Sequence, residues 1–187
     1  MQHVIAAWTA LSAATSPMRS QADRSGCQAA ALGHFGWETK HFQYQAMYPL
    51  SMPLHQNTRG NVSFHLSNPA LAYESQCSAS TSQPFGHFHG ATPLACSEEP
   101  EATTTQTIFE FKSLRGTLNI EQTWACSDEN PQWPTRFHAY GSINLTMDCT
   151  EKVTKPDWHL GELYSSYETR CTSVSVLCQP YKMTAVA

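Results

Sequence analysis

The chain has 187 residues, enough for a single domain but short for two. Only 14% of the residues are charged, against about 25% in an average soluble domain, and Ser, Thr, Asn and Gln make up the difference. The net charge is −4 with no run of Lys or Arg, which excludes the electrostatic footprint of a nucleic-acid binder and a polybasic membrane patch.

Residues 4–14 are apolar or small, with Trp8 and Leu11 the largest. The stretch is too short to span a bilayer and fits the apolar region of a signal peptide, although no Lys or Arg precedes it. Small residues place cleavage after Ala14 or Ala22. The expected organisation is a signal peptide over 1–22, an N-terminal segment over 23–36 and one domain over 37–187. No other stretch approaches the roughly 18 apolar residues of a membrane span.

Past residue 36 the hydrophobic period is two. Phe42 and Tyr44 share a face in 37–45, then Val62, Phe64 and Leu66, then Phe109 and Phe111, then Leu118, Ile120, Gln122 and Trp124. The longest alternation predicts one strand over 137–149, carried by Phe137, Ala139, Gly141, Ile143, Leu145, Met147 and Cys149. Val174, Val176 and Cys178 follow; Pro180 interrupts, and Met183 and Ala185 resume the pattern. Residues 97–106 read as an exposed loop, and 160–167 fit either a strand or a helical turn. Turn signals at Asn68-Pro69, Gln83-Pro84, Asn130-Pro131, Trp133-Pro134 and Lys155-Pro156 separate the strands. One buried and one wet face per strand predicts an all-β fold, a single antiparallel β-sandwich or barrel.

The cysteines are Cys27, Cys77, Cys96, Cys126, Cys149, Cys171 and Cys178. None stands in a C-x-x-C pair, which removes zinc-knuckle and thioredoxin readings. Wide spacing behind a candidate signal peptide predicts disulfides in a secreted protein; the competing reading is buried free thiols in a cytosolic one. Sequons at Asn61 and Asn144 are candidate N-glycosylation sites, because Val62 and Leu145 beside them are assigned to the core and the asparagines therefore to solvent.

Catalytic signals are weak. His87 and His89 share a strand face and are the sharpest metal candidate, with His34, His41, His55 or His138 as a third ligand. The plainer reading is two exposed imidazoles between Gly86 and Gly90. No G-x-S-x-G or H-E-x-x-H motif occurs. Asp128 with Glu129, or Asp148 with Glu151, would serve as a glycosidase pair but read more simply as solvated acids. No cofactor is implied. Trp133, Trp158, Tyr164 and Tyr167, and separately Phe85 and Phe88, suit either binding of a sugar, phenolic ligand or protein, or plugging of the barrel ends.

The segments GNVSFHL (60–66), YESQCSA (73–79), GTLNIEQTWAC (116–126), FHAYGSINLTMDC (137–149) and KMTAVA (182–187) occur in an order, with a cysteine placement, that resembles the Alternaria-allergen-like family of small secreted fungal proteins. The resemblance runs from about Trp37 to the end. It implies a β-sandwich-like barrel, an extracellular location, an allergen-like or effector-like role and no enzyme activity. It also implies pairing of Cys77 with Cys96 and of Cys149 with Cys171. Of the remaining cysteines, we pair Cys27 with Cys126 and leave Cys178 as a buried free thiol. A disulfide-linked dimer through Cys27 is the competing assignment. The expected function is a secreted, non-enzymatic binding or effector-like protein whose partner is an extracellular protein or small ligand. The alternatives are a metal-binding or hydrolytic protein using His87 and His89, and a structural cell-wall protein.

Overall fold

The computed structural model describes residues 26–52, 55–56, 58–82, 88, 92–100, 102–155 and 165–187. The predicted signal peptide, His87 and His89 lie outside them. In chain order the elements are α1 (Cys27–Leu32), β1 (Trp37–Met52), β2 (His55–Gln56), β3 (Arg59–Ser67), β4 (Glu74–Thr81), β5 (Leu94–Ala95), β6 (Gln106–Lys112), β7 (Thr117–Cys126), β8 (Thr135–Asn144), β9 (Cys149–Thr154), β10 (Ser165–Cys171), β11 (Val174–Cys178) and β12 (Pro180–Val186). Among the described residues no helix is long and apolar enough to cross a membrane.

The strands form two antiparallel sheets. The larger has seven strands in the order β4-β3-β1-β10-β9, with β2 and β11 also on β1; the smaller has five, in the order β12-β8-β7-β6-β5. Alternation decides which side chains go between them. Val62, Phe64 and Leu66 of β3 are buried from one sheet, and Phe109, Phe111, Leu118, Ile120 and Trp124 of β6 and β7 from the other. Aromatic rings mesh across the gap: Phe42 with Phe111 at 5.1 Å between centroids, and Phe64 with Phe109 at 5.1 Å. Each such ring, fully buried, contributes about 1.5–3 kcal/mol.

One polar residue occupies the middle of this core. Gln122 is fully buried. Its Oε1 accepts from the Trp37 indole at 2.7 Å and from Asn68 Nδ2 at 2.7 Å, and its Nε2 donates to Thr107 Oγ1 at 2.9 Å. The amide thus ties β1, β6, β7 and the turn after β3 to one another.

Covalent links join the sheets and their flanks. Cys77–Cys96 connects β4 to the residue after β5, beside backbone bonds between Gln76 and Ser97 that join the two sheets. Cys149–Cys171 links facing residues of β9 and β10. Cys27–Cys126 ties α1 to the end of β7, where Ala31 and Phe35 are buried and the Phe35 ring stacks on Trp124 at 5.2 Å. Cys178 is free and buried, and burial pushes its thiol up to about 11.

Several expectations need correction. The alternation over 137–149 is not one strand: β8 ends at Asn144 in the smaller sheet and β9 starts at Cys149 in the larger. Between them Leu145 stays buried and its N–H donates to Gly116 O at 2.8 Å, so the inward pattern runs through the crossing. Pro180 marks a similar change of sheet, from β11 to β12. The 97–106 stretch is not wholly an exposed loop, since Ser97 bridges to Gln76 and Ala102 is buried. Residues 165–171 are strand, while 160–164 lie outside the described residues. The first strand extends beyond residue 45, to Met52.

Candidate functional site

The outer face of the smaller sheet carries a groove of about 410 Å³ crossing from Pro93 to Tyr181. Strand register builds it from two cross-strand rows. Glu110, Asn119 and Ser142 face one another in the first; Ile108, Glu121, Tyr140 and Lys182 do so in the second. The first row is a hydrogen-bonded chain: Ser142 Oγ donates to Asn119 Oδ1 at 2.7 Å, and Asn119 Nδ2 donates to Glu110 Oε2 at 2.7 Å. Both donors point toward Glu110, whose Oε1 is buried without a hydrogen bond and lies 3.5 Å from Lys112 Nζ.

In the second row Lys182 Nζ lies 5.4 Å from the centre of the Tyr140 ring. His138, from the next row, reaches diagonally to Glu121, with Nε2 2.8 Å from Oε1, and packs its ring 4.5 Å from Tyr140. Desolvation, then the Glu121 carboxylate and then Tyr181, push the Tyr140 phenol above its ordinary range. Tyr181 is 72% exposed at the rim. The groove therefore offers the Ser142 hydroxyl, the Asn119 amide and the Glu121 carboxylate, with phenol rings beside them.

Of the residues singled out in the sequence, His138 borders the groove through Glu121 and Tyr140, and the other described ones fall elsewhere. His41 lies in β1 and His138 in β8, on different sheets. Asp128 accepts from the backbone N–H of Gln28, with its Oδ2 at 3.2 Å, at the start of α1. Among the described residues, the one group of three or more His, Cys, Asp or Glu with ligand atoms mutually within 4.8 Å is Cys27, Cys126 and Asp128, and both of its sulfurs are in a disulfide. Trp133 is 72% exposed; Phe88 is buried against Tyr44 and Phe111; Tyr167 packs on Tyr48. Phe85, Trp158 and Tyr164 lie outside the described residues.

Asn61 and Asn144 are exposed, and each uses Oδ1 as an acceptor, from Ser80 Oγ and Thr117 Oγ1, both at 2.8 Å. The bond from Cys27 to Cys126 engages the sulfur on which a covalent dimer would depend.

Sequence reasoning missed the groove because its residues come from separate strands and look, one strand at a time, like any solvent face. Glu110, Asn119 and Glu121 were visible as the polar partners of an alternation, and Tyr140 was not singled out. Only the register places them together.

Two antiparallel sheets packed on an aromatic core, stapled by three disulfides, define a small β-sandwich of the kind found in oxidising compartments. The chain belongs to the Alternaria alternata allergen 1 family, whose sequence model matches residues 39–171. No curated protein and no solved structure matched the chain in the other two comparisons.

Proposed function

We propose that this chain is a secreted, non-enzymatic, allergen-like protein that works outside the cell by binding, and that its ligand is a polyhydroxylated ring seated in the groove across β6, β7, β8 and β12. The observation that carries the reading is the hydrogen-bonded row of Ser142, Asn119 and Glu110, lying beside the phenol rings of Tyr140 and Tyr181. A sugar presents hydroxyl donors on its edges and C–H groups on its faces. Carboxylates accept from the first and aromatic rings pack on the second. The disulfides and the family support an extracellular setting.

The test is titration of the oxidised protein with neutral gluco-, xylo- and chito-oligosaccharides, followed by the NMR signals of Tyr140 and Tyr181. At least one series is expected to shift both signals saturably. Tyr181→Ala and Glu121→Gln are expected to weaken that binding at least tenfold. Saturable binding that both variants leave intact, or no response to any of the sugars, would overturn the reading.

A further inference from the structure

The opposite face of the molecule brings together two histidines that lie far apart in the sequence. In β1 the register against β3 shifts between Lys40 and Gln43, and against β11 between Thr39 and Phe42. His41 is the extra residue. Its φ is +53°, in the left-handed region that a side chain with a Cβ rarely adopts. Its backbone N–H is held outside the ladder by Ser175 Oγ at 3.1 Å. The bulge aims the imidazole over the outer face of the larger sheet, where the rings of His41 and His65 stand edge to face with centroids 6.4 Å apart. Both rings line a groove of about 240 Å³ with Gln43, Ser63, Gln76 and Ser78.

His65 also has a partner on its other side. Its Nδ1 faces Glu74 Oε2 at 3.7 Å. The second oxygen of Glu74 is taken by Lys40, Nζ to Oε1 at 2.7 Å, and Lys40 also lies 3.4 Å from Glu38. The carboxylate stands on the Nδ1 side of the ring, which leaves Nε2 as the nitrogen turned away from it. Outer carboxylates orient metal-binding imidazoles from this side once the contact shortens to a hydrogen bond. The lysine charge is meanwhile shared between two carboxylates.

We propose that His41 and His65 form a binding site for a divalent transition-metal ion, with Glu74 as the residue that positions His65. Two imidazoles bound to one ion at about 2.0–2.1 Å hold their centroids about 5–6 Å apart. The observed pair stands wider, at 6.4 Å, so sharing one ion requires the exposed His41 ring to swing toward His65. Imidazole donors without thiolate favour copper(II) over zinc in affinity. Water, or the Gln76 and Gln43 amides at the same groove, complete the shell. The site lies on the sheet opposite the groove assigned to the ligand, so it stands or falls apart from that assignment.

The test is titration of the oxidised full chain with Cu²⁺ alone and with Zn²⁺ alone, by calorimetry and by Cu²⁺ broadening of the histidine ring signals in NMR. Wild type is expected to take up one Cu²⁺, broadening His41 and His65 first, with zinc bound more weakly. His65→Gln and His41→Gly are each expected to weaken binding at least tenfold. The glycine variant keeps the left-handed backbone available, and an unchanged melting curve shows that the sheet is intact. Replacing His87 and His89 together by Ala is expected to leave the affinity unchanged. No saturable binding, or binding lost with His87 and His89 but kept in His65→Gln, would overturn the proposal.

Discussion

Gln122 shares a strand face with Leu118, Ile120 and Trp124, and the alternation alone gives no reason for an amide there. The reason is the Trp37 indole and the Asn68 amide, which it satisfies inside the core. Gln122→Leu keeps much of the volume and removes the acceptor, leaving two buried N–H donors without a partner. Each orphan costs about 1–3 kcal/mol, so urea unfolding is expected to show a loss of about 2–6 kcal/mol. A loss below about 1 kcal/mol would mean that the network is not what holds these elements together. The inward residues of β3, β6 and β7 were legible from alternation, but in β1 only Phe42 and Tyr44 were, and its irregularity was not. Trp37 and Thr39 are buried at odd positions, Phe42, Tyr44 and Ala46 at even ones, and an inserted residue at His41 is the way to keep both sets inside. What that insertion does to His41 was not legible, because it depends on β3 lying alongside.

At the scale of elements, α1 was invisible in the sequence. Its CQAAAL run is six residues long, too short to be stable alone. It persists through tertiary contacts: Ala31 in the core, Asp128 on the Gln28 N–H and the bond from Cys27 to Cys126. That bridge spans 99 residues, which in the chain-entropy account contributes roughly 4–5 kcal/mol. Replacing both cysteines by Ala is therefore expected to lower the urea midpoint by a comparable free energy. It is also expected to free the amides of residues 28–32 to exchange at near-unfolded rates while β7 stays protected. Protected amides in that variant would assign the helix to packing alone. Sheet membership was equally hidden. The alternation through 137–149 is continuous although the chain leaves one sheet and joins the other: Leu145 stays buried at the crossing and Met147 half-buried beyond it, while Cys149 and the rest of β9 are exposed.

Across the whole molecule, the two sheets are held by side chains from both faces and by covalent links at their margins. The smaller sheet presents the groove with Glu110 and Tyr140; the larger presents His41 and His65. The all-β class was legible because a period of two persists over most of the chain. The sites were not, because each is assembled by register between strands that the sequence separates. Both depend on one arrangement of the cysteines, which fixes α1 to β7, closes β4 against the segment after β5 and clamps β9 to β10. Non-reducing peptide mass spectrometry on the oxidised protein, with thiols alkylated before and after unfolding, tests that arrangement directly. The account predicts cross-linked peptides joining Cys27 to Cys126, Cys77 to Cys96 and Cys149 to Cys171, with Cys178 alkylated only once the fold is opened. A peptide linking Cys178 to another cysteine, or Cys27 alkylated in the native protein, would contradict it.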